Sequence, residues 1–204
     1  MEKEKEIIKK LRDNSELSID DLDKLYYFND YDTLVDIFGK EAVARNTQEI
    51  TMDTICFIGD LIIDEKLPTY NLKYVYGMIN YVLDKVCNLD NLIYVNDSVF
   101  FNNIKDANGL ESLEYIRGHA CFNKLRVSDG LENLLVIGKD ASFPFLEDSS
   151  GLVCLKNIYG TSFFSSLKNI NGLDNLECIG GEKRFNAIAL SKLENRGKSL
   201  CLKK

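Results

Sequence analysis

The apolar positions of this chain fall into two regimes. From Leu89 to Ile188 they recur with a fixed period of 21 residues, five times, without insertion or deletion. Leu89, Leu110, Leu131, Leu152 and Leu173 open the units, and Leu92, Leu113, Leu134, Leu155 and Leu176 follow three residues on. Val95, Ile116, Ile137, Ile158 and Ile179 form a third column, and Phe101, Phe122, Phe143, Phe164 and Phe185 a fourth. Ile104, Leu125, Leu146, Leu167 and Ile188 complete the set. A constant period of this size marks a stacked array of identical supersecondary units. Before Leu89 no such period is visible, and the apolar residues are spaced as in helices.

A 21-residue unit is too short for a two-helix repeat, which needs ~33–47 residues. Its glycines also oppose a helix. Gly109, Gly130, Gly151 and Gly172 close four units, where glycine permits a positive φ and a tight corner. Ahead of the Phe column the sequence alternates, with Ala120 and Phe122 set against His119, Cys121 and Asn123. Period two is the strand signal. Each unit therefore reads as one coil, with a strand at the Leu–Ile segment and a second extended segment at the Phe. Successive coils stack into parallel sheets ~4.8 Å apart. Pro144 cannot donate to such a ladder, so the third coil is expected to be irregular there.

Units such as G-L-E-N-L-L-V-I-G at 130–138 and G-L-D-N-L-E-C-I-G-G at 172–181 resemble leucine-rich-repeat and receptor-L-domain-like solenoids. The resemblance is nearest to the repeats in uncharacterised proteins of low-GC bacteria and their phages, and it covers about half of the chain. It departs from the usual L-x-x-L-x-L-x-x-N pattern, because the third apolar residue comes three positions on. Both a horseshoe and a straighter, β-helix-like stack therefore stay open. The resemblance implies partner binding and no shared chemistry.

Upstream, Glu2–Arg12 reads as a helix with a stripe at Ile7, Ile8 and Leu11. Ser18 caps a second helix running to about Phe28, with Asp21 closing a capping box and Leu17 and Leu22 as its staple. A third spans Tyr31–Phe38 and stops at Gly39. Ile55, Ile58, Leu61 and Ile62 predict a helix over Thr51–Glu65. A last one is predicted from Thr69 or Asn71 to about Val86, with Leu72, Val75, Tyr76, Ile79 and Leu83 on one face. The period fails after the fifth unit, and a short helix or irregular cap is expected near Ser191–Asn195. The expected class is α+β: a helical, acidic head or capping region over 1–88, a parallel β-solenoid of five 21-residue leucine-rich-like repeats over 89–190, and a basic C-terminal cap or tail over 191–204. Solenoids need covered ends, which suits the head.

Charge adds one asymmetry. Residues 1–88 hold 11 basic and 18 acidic side chains, a net −7, whereas 89–204 hold 14 of each. Six cysteines show no C-x-x-C spacing, so buried free thiols in a reducing compartment are expected rather than a zinc or redox motif. No run of about 18 apolar residues predicts a membrane span, and the charged start points to a cytoplasmic protein. His119 is the sole histidine and stands alone at an outward position. No phosphate-loop, EF-hand, zinc-protease or nucleophile-elbow string occurs. The expectation is therefore no catalytic, cofactor or metal residue and no small-molecule substrate. What remains is surface. Tyr94, Phe100, Tyr115, Phe145 and Phe163 are outward aromatics suited to a protein or ribonucleoprotein partner. The reading is a non-enzymatic protein-binding module, in its narrower form a phage or mobile-element inhibitor of a bacterial defence nuclease, acting like an anti-CRISPR. The alternative is nucleic-acid binding through Lys183, Arg184, Arg196, Lys198, Lys203 and Lys204.

Overall fold

A computed structural model describes residues 2–195. The head begins with α1 (Glu2–Arg12), which buries Ile7 and Leu11. Ser18 and Asp21 then close the expected capping box on α2 (Ile19–Leu22). This helix ends after one turn, and a separate 3-10 turn over Leu25–Phe28 continues in place of the longer helix expected. Helix α3 (Tyr31–Phe38) is capped by Asp30, whose carboxylate accepts from the Thr33 N–H at 2.9 Å. It stops at Gly39, where φ is +89°.

The chain then enters the solenoid earlier than its pattern suggests. No helix forms over Thr51–Glu65 or between Thr69 and Val86. Strand β1 (Val43–Ala44) is followed by a coil carrying β2 (Cys56–Ile58) and β3 (Leu61–Ile63). The next holds β4 (Tyr74–Tyr76) and β5 (Ile79–Tyr81). The five regular units follow as β6 (Tyr94–Val95) with β7 (Val99–Phe100), β8 (Tyr115–Ile116) with β9 (Ala120–Cys121), β10 (Val136–Ile137) with β11 (Ala141–Ser142), β12 (Asn157–Ile158) with β13 (Ser162–Phe164), and β14 (Cys178–Ile179) with β15 (Lys183–Phe185). The even-numbered strands and β1 form one eight-stranded parallel sheet; the other odd-numbered strands form a seven-stranded parallel sheet. Register partners Cys56, Tyr74, Tyr94 and Tyr115 step by 18, 20 and then 21 residues. The early coils are therefore shorter, and a search at constant period passes over them. The irregularity expected at Pro144 is absent. β11 keeps its register with both neighbours, because Pro144 lies beyond the end of the strand, where no ladder N–H is required.

Five apolar columns face inward as one continuous core. The rings of Tyr81, Phe101, Phe122, Phe143, Phe164 and Phe185 stack down its length, with successive centroids 5.0–5.3 Å apart. The unit-closing glycines act by two mechanisms. Gly109 and Gly130 take φ near +98° and +96°, as does Asn88 at +61°. Gly151 does not; a Cβ there would lie 2.1 Å from the Ser128 carbonyl oxygen, so the coils could not approach. Asparagines bind coil to coil. The amides of Asn71, Asn91, Asn133 and Asn175 donate to the carbonyls of Met52, Tyr70, Glu111 and Val153 in the preceding coil. At the far end α4 (Ala187–Asn195) replaces a sixth unit and packs Ala189 and Leu193 onto the last coil. Asn186 caps it by accepting from the Ala189 N–H at 2.9 Å. Ile188, expected in the last apolar column, falls on this helix and is 70% exposed.

Candidate interaction surfaces

The two sheets present different outer faces. The head lies on the eight-stranded sheet. Ile7, Leu11, Leu22, Leu25, Leu34 and Ile37 pack there against outward residues of the strands, from Val43 and Cys56 through Tyr74, Tyr94 and Tyr115 to Val136. Two of the aromatics expected as partner contacts are thereby accounted for. Tyr94 is fully buried and its hydroxyl donates to Asn96 Oδ1 at 2.8 Å. Tyr115 is buried too, and its hydroxyl donates to Asp23 Oδ1 at 2.7 Å. Their apolar rings turn outward from the solenoid but fasten the head to it, so neither is available to a partner. Arg117 reinforces the seam by lying 3.9 Å over the Tyr26 ring.

Among the described residues, no apolar side chain of the head packs on the seven-stranded sheet. Strand alternation puts Ile62, Asn80, Phe100, Cys121, Ser142, Phe163 and Arg184 in one outward row, and each is the registered neighbour of the next. Phe100 and Phe163 are half-buried on this open face. The Arg184 guanidinium sits 4.9 Å over the Phe163 ring and 2.7 Å from Glu182. Beside the row Asn123 donates to Asn102 Oδ1 at 2.7 Å, and Ser142 donates to Asn123 Oδ1 at 3.2 Å. Phe145 stands apart, beyond the Phe column, and is 56% exposed. The structure thus keeps Phe100 and Phe163 on one face, leaves Phe145 exposed outside the strands, and removes Tyr94 and Tyr115 under the head. Sequence alone showed which residues point out of the coil. It carried no signal for which sheet the head would cover.

Of the basic residues considered for nucleic acid, Lys183 is half-buried on β15 and Arg184 is paired as above. Arg196, Lys198, Lys203 and Lys204 lie outside the described residues. Among the described residues, the arrangement nearest to a catalytic set is on the open face. His119 Nδ1 is 3.3 Å from Asp140 Oδ2, and Cys121 is two residues on from His119. Its chemistry runs the wrong way for a nucleophile, since burial and then the charge of Asp140 push the Cys121 thiol up, away from the thiolate. No group of three metal-ligating side chains occurs among the described residues, and no described helix is long and apolar enough to cross a membrane. The hollow between the head and the first coils, about 380 Å³, is lined by Arg12, Asn14, Phe38, Asp53, Lys73 and Tyr74 among others. Arg12 is already bound to Asp36 at 2.6 Å there. No family model, curated protein or solved structure matches the chain.

Proposed function

We propose that this protein is a non-enzymatic binding module that holds another protein against the outer face of its seven-stranded sheet. The observation that supports this reading is the unequal treatment of the two faces: the head covers one and leaves the other open, with Phe100, Phe163 and Arg184 on a rigid ladder. Aromatic residues and arginine on a preformed surface suit the centre of a protein interface. The paired charge of Arg184 and the acidic balance of the repeat region, with 9 basic and 13 acidic side chains over 89–190, favour a protein over nucleic acid as partner. An inhibitor from a mobile element that occupies a defence nuclease is a binding protein of this kind, and the identity of the captured partner decides that narrower reading.

The test is capture from a lysate of the native host with the intact chain, with and without nuclease treatment. A partner retained after nuclease treatment, and lost with Phe163→Glu but not with Phe145→Glu, is the expected result. Loss of all captured material on nuclease treatment would transfer the role to nucleic acid.

A further inference from the structure

The two sheets also begin unequally. The eight-stranded sheet starts at β1, but the seven-stranded sheet starts at β3, which pairs with β5 and has no described strand on its other side. In a parallel ladder, alternate residues direct their N–H and C=O groups to opposite neighbours. The Leu61 N–H donates to the Met78 carbonyl at 2.8 Å, and the Ile63 carbonyl accepts from the Val82 N–H at 2.9 Å. Both therefore face β5, and Ile62 between them turns its N–H and C=O to the open edge. The Ile62 side chain is 54% exposed on the outer face. Asp60 and Asp64, just beyond either end of the strand, are exposed as well and line one groove with Ile62, although Asp60 Oδ1 also accepts from the Met78 N–H at 3.0 Å.

A groove of about 410 Å³ runs beside this edge, lined by Arg45, Phe57, Asp60, Ile62, Asp64 and Glu65 among others. Its three carboxylates outnumber its one cation, and the Arg45 guanidinium is drawn 4.2 Å over the Tyr31 ring. Lys66, the next cation along, lines a neighbouring depression. Open strand edges invite pairing. Pairing with a second copy is opposed here, because two antiparallel β3 edges would set Asp60 against Asp64, and like charges directly opposite destabilise a sheet.

We infer that the β3 edge accepts one extended segment of a partner protein as an added strand, and that this segment presents an apolar residue flanked two positions away on each side by lysine or arginine. Each part of the motif answers a feature of the edge. The N–H and C=O of Ile62, which face away from β5, can pair with the main chain of an added strand. The exposed Ile62 side chain takes an apolar cross-strand neighbour, and Asp60 and Asp64 take the two cations. This site lies at the edge of the seven-stranded sheet, where Ile62 begins the outward row, and does not use Phe100, Phe163 or Arg184, so it stands or falls apart from the reading above.

The experiment titrates the intact protein with a synthetic peptide whose outward series is Lys, Val, Lys, with threonine between. The readouts are fluorescence anisotropy and residue-resolved amide exchange. Slowed exchange of the Ile62 N–H, with affinity that falls as salt rises, is the expected result. A peptide N-methylated at the amide meeting the Ile62 carbonyl should not bind, and the Glu, Val, Glu peptide should not bind. Asp64→Lys is expected to weaken the lysine peptide roughly tenfold. Asp64 is exposed, so circular dichroism of that variant should match the parent; should it not, the two peptides on the parent protein still decide. Three outcomes overturn the inference: binding that leaves Ile62 exchange unchanged, equal binding of the Glu peptide, or protection of Ile62 by self-association without peptide.

Discussion

The Phe column is where single residues matter most. Phe143 is fully buried between the rings of Phe122 and Phe164 at centroid distances of 5.0 and 5.1 Å. Truncating it leaves a cavity that flanking coils, held by ladders on both sides, cannot close. Phe143→Ala is expected to cost about 3–5 kcal/mol by denaturant titration, whereas Phe145→Ala on the surface should stay within about 0.5 kcal/mol of the parent. Equal losses would show that the ring stack is not the core. A second expectation uses the asparagine column. Its members at 133 and 175 each donate to a carbonyl 22 residues back, but Cys154 occupies the position between them and has no amide to offer the Glu132 carbonyl. Cys154→Asn supplies that bond and is expected to raise stability by about 0.5–1.5 kcal/mol, read as a higher denaturation midpoint. The inward columns were legible in the sequence because burial repeats. The asparagine bonds were not, because Ser112 and Cys154 interrupt the column and a donor cannot be matched to a carbonyl until the coils are stacked.

At the scale of elements, the misassigned stretch explains itself. The coil motif L-x-x-L-x-x-I spaces apolar residues at i, i+3 and i+6, close to the period of a helix. Leu72, Val75 and Ile79 correspond in the stack to Leu92, Val95 and Val99, and Tyr81 takes the place of Phe101. Only a fixed period separates coil from helix in such a sequence, and the shortened steps of 18 and 20 residues removed it. Ile58 and Ile62 strengthened the helical impression, since both are outward on their strands yet apolar. The head was legible because its signals are local: a cap, a staple and a glycine stop. Its second helix carries a pH dependence. Burial pushes the Asp21 carboxyl up, but the Lys10 ammonium at 2.8 Å and both Ser18 donors outweigh it and hold the pKa at about 2. An unfolded aspartate titrates near ~3.9. Between those values the unfolded chain binds the proton and the folded chain does not, so this contribution is complete above about pH 4 and is lost as pH falls toward 2. It amounts to about 2 kcal/mol. Asp21→Asn should lower stability at neutral pH and flatten the acid limb of the stability profile. An unchanged acid limb would remove Asp21 as its cause.

At the scale of the molecule, the solenoid and its ends are expected to unfold as one cooperative structure. Each coil's inward row is buried by the coils on either side, and repeat arrays gain stability from such interfaces. The row Leu89, Leu92, Val95 and Phe101 is covered on its N-terminal side by Leu72, Val75, Ile79 and Tyr81, which belong to another coil and not to a capping helix. Cutting the chain before Leu89 therefore strips two coils and the head together. It exposes that row, opens the β6 and β7 edges along their length, and uncovers Tyr94 and Tyr115. At ~25 cal/mol per Å² of apolar surface, uncovering several large side chains forfeits several kcal/mol, comparable with the whole stability of a domain. Unpaired parallel edges beside exposed tyrosines also favour association. The fragment 89–204 is expected to aggregate or to lose its strand signal, and the full chain to unfold in one transition by circular dichroism and calorimetry. A fragment starting at Val43 differs in kind. It keeps every strand and the whole inner core but loses the cover over Tyr74, Tyr94 and Tyr115, so it should retain its strand signal while self-associating through that face. If fragment 89–204 is instead monomeric and folded, the coil-to-coil interface at Leu89 contributes less than the rest of the stack, and the early coils with the head form a separable unit.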